Sequence, residues 1–221
     1  MDLRDKDAII TGGASGIGAA TAREFARLGA VVVVADNNGD GAREVADGIG
    51  GMAIACDVGD EADVNALVRD AETANGPVDV FFSNAGIATG GYPLDTDIDT
   101  WNEQWQVNVM AHVFAVRAVL PTMLERESGY LVHTASIAGI LTSHANLTYA
   151  VTKHAVVGLA EWLSITYHNR EFGCPCWHHW ACEPRCSGLR RRPSSATRQD
   201  PSRNPRKWPA WCPMPCSRNA S

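Results

Sequence analysis

The stretch Ala8-Ile9-Ile10-Thr11-Gly12-Gly13-Ala14-Ser15-Gly16-Ile17-Gly18 constrains this chain more than any other. A short apolar run of strand type ends in a glycine-rich turn. Apolar residues at helical spacing follow at Ile17, Ala20, Ala22, Phe25, Ala26 and Leu28, and Gly29 stops the pattern. Glycines in such a turn let the backbone approach a pyrophosphate closely, and the helix N-terminus offers free N–H groups and the positive end of a dipole. Gly12, Ser15, Gly16, Ile17 and Gly18 are the candidate phosphate-binding residues. An ordinary strand-to-helix turn is the alternative reading of the same residues.

The rest of the first three quarters repeats the alternation. Ala30–Asp36 is continuously apolar up to its last residue, as a parallel strand covered on both faces should be. Met52–Val58 and Val78–Phe82 read as the third and fourth strands, with a helix over Asp60–Ala74 between them. Thr100 is expected to cap one long helix running to Glu127, and Tyr130–Ser136 reads as a fifth strand. Strands alternating with helices predict an α/β fold, a doubly wound parallel sheet with helices on both faces. Ligands of such sheets gather at the carboxyl ends of the strands. Gly12, Asp36, Asp57, Asn84 and Ser136 all fall there. Asp36 suits the hydroxyls of an adenosine ribose and would repel a 2′-phosphate, with no Lys or Arg beside Asn37 and Asn38 to bind one. The cofactor expected is therefore NAD rather than NADP.

A helix rich in small and apolar residues begins at Tyr149-Ala-Val-Thr-Lys153. Residues four apart share a helix face, so the Tyr149 phenol and the Lys153 ammonium can enter one site. A phenol alone is a poor acid or base at neutral pH, and a neighbouring cation stabilises its ionised form. The spacing by itself also fits a surface Tyr near a solvated Lys. The polar residues at five strand ends favour the catalytic reading.

Taken together, Thr11-Gly12, Gly16-Ile17-Gly18, Asp36, Asp57-Val58, Asn84-Ala85-Gly86, Asn108, Ser136 and Tyr149 with Lys153 resemble the motifs of the short-chain dehydrogenase/reductase family. The resemblance covers Leu3 to about Gly173 and implies a Rossmann-type domain over residues 1–173. It implies that Tyr149 exchanges a proton with an alcohol or carbonyl oxygen and that Ser136 hydrogen-bonds that oxygen. It implies that Lys153 assists Tyr149 and holds the nicotinamide ribose, and that Asn108 keeps a water in a proton relay to Lys153. Asp57 and Val58 would meet the adenine, and Asn84, Ala85 and Gly86 would line the cofactor cleft. The activity implied is NAD-dependent interconversion of a secondary alcohol and a ketone or aldehyde, by a homo-oligomer (dimer or tetramer) acting on a small molecule.

Composition divides the chain. Of seven Cys only Cys56 precedes Gly173, eight of eleven Pro follow it, and Cys174–Ser221 contains no Val, Ile, Phe or Tyr. That segment carries nine Lys/Arg against two Asp/Glu, a formal +7, while the first 173 residues carry −13. The family's sixth and seventh strands, last helix and substrate-covering segment are missing from it. Zinc ligation by Cys174, Cys176, His178, His179, Cys182, Cys186, Cys212 and Cys216 is one reading, but the spacings match no usual pair of pairs and no apolar set is there to pack around a metal. An altered reading frame is the favoured one. Ala181–Cys186, written in degenerate codons and read from each third base, permits V-R-T-P-M. Gly173 onward permits V-S-V-L-A-P-L-G, and Arg206–Trp211 permits P-E-V-A-x-L-V. These resemble, in order, elements the family places there. The expectation is a basic, disordered tail over 174–221, a fifth strand left as a bare edge, and weak or absent turnover. A non-catalytic NAD-binding or interaction protein, whose tail meets anionic partners, is the alternative function. His112, His133, His144 and His154 show no ligand spacing with Cys or carboxylates, and no metal site is expected. Neither a nucleic-acid partner nor a membrane span is expected. An N-terminus without the basic-then-apolar pattern of a signal peptide gives a cytoplasmic expectation.

Overall fold

The computed structural model describes residues 2–142 and 146–167, with the backbone of Cys176 and Trp177. They fall in a compact unit spanning Met1–Cys182; the second unit, Glu183–Ser221, lies outside the described residues. The choice between zinc ligands and an altered reading frame, and the setting of His144, lie outside them as well.

Chain order is β1 (Asp7–Thr11), α1 (Gly16–Arg27), β2 (Val31–Asp36), α2 (Gly39–Ile49), β3 (Met52–Ala55), α3 (Glu61–Asn75) and β4 (Val80–Ser83). Then come α4 (Ile98–Trp105), a π-helical turn (Gln106–Met110), α5 (Ala111–Glu125), β5 (Tyr130–Thr134), a 3₁₀ turn (Ile137–Gly139), α6 (Leu147–Tyr167) and β6 (Cys176–Trp177). The sheet is parallel throughout, in the order β3-β2-β1-β4-β5-β6. That is the doubly wound Rossmann order, whose crevice opens where β1 and β4 diverge to opposite halves.

Alternation along the strands feeds two cores. Ile9, Val33, Phe81 and Leu131 pack with Leu67 of α3, Val116 and Met123 of α5 and Leu163 of α6. Ala8, Ile10, Val32, Val34, Val80, Phe82 and Val132 pack with Ala19 and Ala22 of α1 and Val45 of α2. Each buried Val or Leu contributes about 1.5–3 kcal/mol relative to exposure, so the continuously apolar strands follow from cover on both faces. The opposite end of the sheet is tied by Asp79, which pairs with Arg126 at 3.3 Å and Lys6 at 3.4 Å.

Three expectations change here. Asp97, not Thr100, caps the helix before the site: its Oδ1 accepts from the Thr100 amide at 2.7 Å. The single helix from Thr100 to Glu127 is interrupted by the π-helical turn. And β5 is not a bare edge, since His133 and Thr134 pair in parallel with Cys176 and Trp177. Two residues of the segment after Gly173 supply enough backbone to continue the ladder, because strand pairing uses main-chain groups whatever the side chains are.

The stretch Ile98–Glu125 is long and apolar enough to cross a membrane by length and composition. Its apolar residues Ala111, Ala115, Val116, Val119 and Met123 are buried in the core beneath the sheet, which accounts for that composition.

Candidate active site

The turn after β1 is built by close approach. Gly12 has φ +64°, and a Cβ there would stand 2.8 Å from the Ala85 Cα. A Cβ on Gly18 would meet the Gly12 carbonyl oxygen at 2.1 Å. Gly16 has φ +53° with open space where a Cβ would lie, so the backbone itself borders the cleft. Ser15, the N-cap of α1, makes no side-chain capping bond, which leaves the helix end to the cleft.

Asn84 stitches three strand ends together. Its Nδ2 donates to the Thr11 carbonyl at 3.0 Å and the Gly12 carbonyl at 3.3 Å, and its Oδ1 accepts from the Thr134 hydroxyl at 3.2 Å. Asp36 anchors the turn from the far side: its Oδ2 accepts from the Ala14 amide at 3.0 Å and its Oδ1 from the Asn38 amide at 2.9 Å. Asp57 Oδ1 accepts from the Gly59 amide at 2.9 Å.

On α6, Lys153 is 3% exposed, and its Nζ donates to the Thr134 carbonyl at 2.8 Å. The same Nζ lies 5.7 Å from the centroid of the Tyr149 ring, one turn away. Thr152 Oγ1 donates to the Tyr149 carbonyl at 3.0 Å and accepts from Asn108 Nδ2 at 3.2 Å. Asn108 is fully buried in the π-helical turn and holds both main-chain groups of Ile87 at 2.8 Å. Single π turns of this kind recur at functional sites, where they re-aim one side chain.

A cleft of about 770 Å³ opens across these strand ends. Its wall carries Gly12, Ser15, Gly16, Ile17, Asp36, Asp57, Val58, Asn84, Ala85, Gly86, Tyr149 and Lys153. Gly18, Asn108 and Ser136 do not line it. Ser136 is 8% exposed, and its Oγ accepts from the Ala138 amide at 3.2 Å, capping the 3₁₀ turn. A hydroxyl that accepts one bond keeps its own proton to donate. Sequence reasoning did not single out Thr134, Thr152 or Ile87 in their bracing roles, nor Cys56 as wall. The Cys56 thiol is pushed up to about 12 by burial first and then by Asp63, Asp57 and Asp60.

The donor set fits a nicotinamide dinucleotide. The wall offers a bared glycine turn and helix end for phosphate, a carboxylate for ribose hydroxyls, and an ammonium at the opposite end.

Comparison with known proteins agrees with this geometry. The family described as short chain dehydrogenase matches residues 6–172. The chain is 37% identical over 170 residues to a 2,5-dichloro-2,5-cyclohexadiene-1,4-diol dehydrogenase of Sphingobium indicum, covering 75% of this chain and 68% of the relative. It is 37% identical over 168 residues to a 1-deoxy-11-beta-hydroxypentalenate dehydrogenase of Streptomyces exfoliatus, covering 72% and 61%. Among solved structures, a short chain dehydrogenase/reductase from Burkholderia phymatum in complex with NAD matches with a TM-score of 0.78 and 34% identity, over 80% of this chain and 66% of that one. A Rossmann sheet with a Tyr/Lys helix on its cleft, matched over three quarters of its length, belongs to the short-chain dehydrogenases, oxidoreductases that act on CH–OH groups. The chain spans about two thirds of the length of the relatives it matches.

Proposed function

We propose that this site is that of an NAD-linked oxidoreductase interconverting a small secondary alcohol with its ketone or aldehyde. The observation that carries the reading is the presence on one cleft wall of Tyr149, Lys153 and Asp36. When bound, the nicotinamide accepts or gives the hydride; the chain handles the proton and the positioning. Tyr149 takes the proton of the alcohol or returns it to the carbonyl oxygen. Ser136, accepting from Ala138, donates its own hydroxyl proton to that oxygen. Lys153, fixed on the Thr134 carbonyl, holds positive charge near the Tyr149 ring and meets the nicotinamide ribose. Asn108, fixed on Ile87 and Thr152, supports a water relay to Lys153. The glycine turn and α1 hold the pyrophosphate, Asp57 and Val58 the adenine.

Asp36 favours NAD over NADP, because its carboxylate already faces the end of the cleft where a 2′-phosphate would lie. The NAD bound to the Burkholderia relative supports that preference. Trp162 at 58% exposure and Ile165 at 80% on α6 support a homo-oligomer. A cytoplasmic setting goes with the same reading.

A second reading, NAD binding with weak or no turnover, is favoured by one observation: the family match stops at residue 172, where the composition changes. The wall that would face the nicotinamide and cover the substrate belongs to the segment beyond. NADH fluorescence on binding, followed by turnover assays on secondary alcohols, separates the two readings. Tyr149→Phe should abolish turnover and leave binding unchanged. Binding without turnover in the unmodified chain selects the second reading, and failure to bind NADH sinks both.

A further inference from the structure

Beneath the cleft wall, in the layer between β5 and α5, two histidines face each other. His112 and His133 are both fully buried, with Nδ1 to Nδ1 at 2.9 Å. Their ring centroids are 5.1 Å apart, so the rings meet head to head through Nδ1 and the two Nε2 atoms lie at the far ends. Neither Nε2 has a hydrogen-bond partner among the described residues. The Nδ1–Nδ1 contact is therefore what sets both tautomers. One proton fits between two nitrogens at that distance: one ring must donate from Nδ1 and the other accept there. If both rings are neutral, the donor carries no proton on Nε2 and the acceptor carries one. Full burial opposes charge on either ring, and Lys153 opposes it further on His112.

The location connects the pair to the proposed chemistry. His133 precedes Thr134, whose carbonyl receives Lys153 and whose hydroxyl donates to Asn84. His112 lies one helical turn beyond Asn108. The pair thus ties α5 to the last residues of β5, between the two groups that brace the cleft wall. We propose that His112 and His133 form a neutral, oppositely tautomeric pair that positions the Thr134 carbonyl and, through it, Lys153. The role assigned to Lys153 rests on the oxidoreductase reading; the tautomer assignment does not.

Ring-¹⁵N-histidine spectra of the full chain test the pair directly, with assignments from His112→Phe and His133→Phe. The expected result is one Nδ1–H and one Nε2–H ring, unchanged between about pH 5.5 and pH 8. Two rings of one tautomer, or either ring titrating near the ordinary histidine range, would overturn the pair. Positioning is tested by nucleotide titration. His133→Phe should weaken NADH at least about tenfold and leave ADP within about twofold, since ADP occupies the adenine half alone. Equal weakening of both ligands, or of neither, contradicts positioning. If the unmodified chain binds neither, the nucleotide reading fails, and acylation of Lys153 mapped by mass spectrometry takes its place. His133→Phe should then speed Lys153 acylation at least about tenfold while Cys56 alkylation stays constant; an unchanged Lys153 rate, or a parallel rise at Cys56, overturns positioning.

Discussion

Lys153 donates from Nζ to the main-chain carbonyl of Thr134 at 2.8 Å, joining α6 to the carboxyl end of β5. The contact makes a catalytic candidate part of the fold's own framework. Lys153→Met should leave that carbonyl without its donor and lower stability by about 1–3 kcal/mol. It should also weaken NADH while sparing ADP. Urea unfolding and the two titrations check this; full stability in Lys153→Met would contradict the structural half.

The two glycines of the turn should respond differently to alanine. Gly18→Ala drives a Cβ into the Gly12 carbonyl and against Asn84 Nδ2 at 2.7 Å, an amide already held by the Thr11 and Gly12 carbonyls. It should cost several kcal/mol, on the scale of the largest single-residue effects, and abolish nucleotide binding. Gly16→Ala meets no atom and pays only for its positive φ, about 1 kcal/mol. Thermal melts of the two variants give the order.

The histidine pair makes stability depend on pH with a definite sign. Burial lowers His133 from its ordinary value to about 4 and lowers His112 well below the usual range. The unfolded chain therefore binds more protons below about pH 6.5, so stability is present above that pH and is lost as pH falls toward 4. For His133 alone the loss is on the order of 3 kcal/mol. The double variant His112→Leu/His133→Leu should lose less stability across that window than the unmodified chain, measured as urea midpoints at both ends. Parallel slopes would show that the rings take up their charging protons as readily in the native state as in the unfolded chain.

Cys56 should be chemically silent although it borders the cleft. With its thiol pushed up to about 12 by burial and three nearby aspartates, almost no thiolate exists at neutral pH. Alkylation at pH 8, followed on the Cys56 peptide, should be slower than in the urea-unfolded chain by roughly three orders of magnitude. Comparable rates in the two states would contradict the buried setting.

Much of this architecture is legible in the sequence because the sheet is parallel and covered on both faces. Runs such as Val31–Ala35 then announce themselves, and the polar residue that ends each run marks the cleft. The helix cap was read at Thr100 because Thr is a good cap, yet Asp97 stands three residues earlier and receives the Thr100 amide. The π-helical turn left no sign, since one shifted hydrogen bond barely changes the spacing of apolar residues. Helix α2 carried readable signals in Asn38, Ala42, Val45, Ala46 and Gly50. The His112–His133 contact could not be read at all: it exists only once α5 packs on β5. Motif membership does not say which residues form the cleft surface: Gly18, Asn108 and Ser136 belong to the motifs but do not line it.

Titration of the unmodified chain with NADH and with NADPH, by nucleotide fluorescence, tests the central claim most directly. With Asp36 at the ribose end of the cleft, NADH should bind and NADPH should bind at least about tenfold more weakly, a difference of about 1.4 kcal/mol. Equal affinities, a preference for NADPH, or no binding of either would contradict the account.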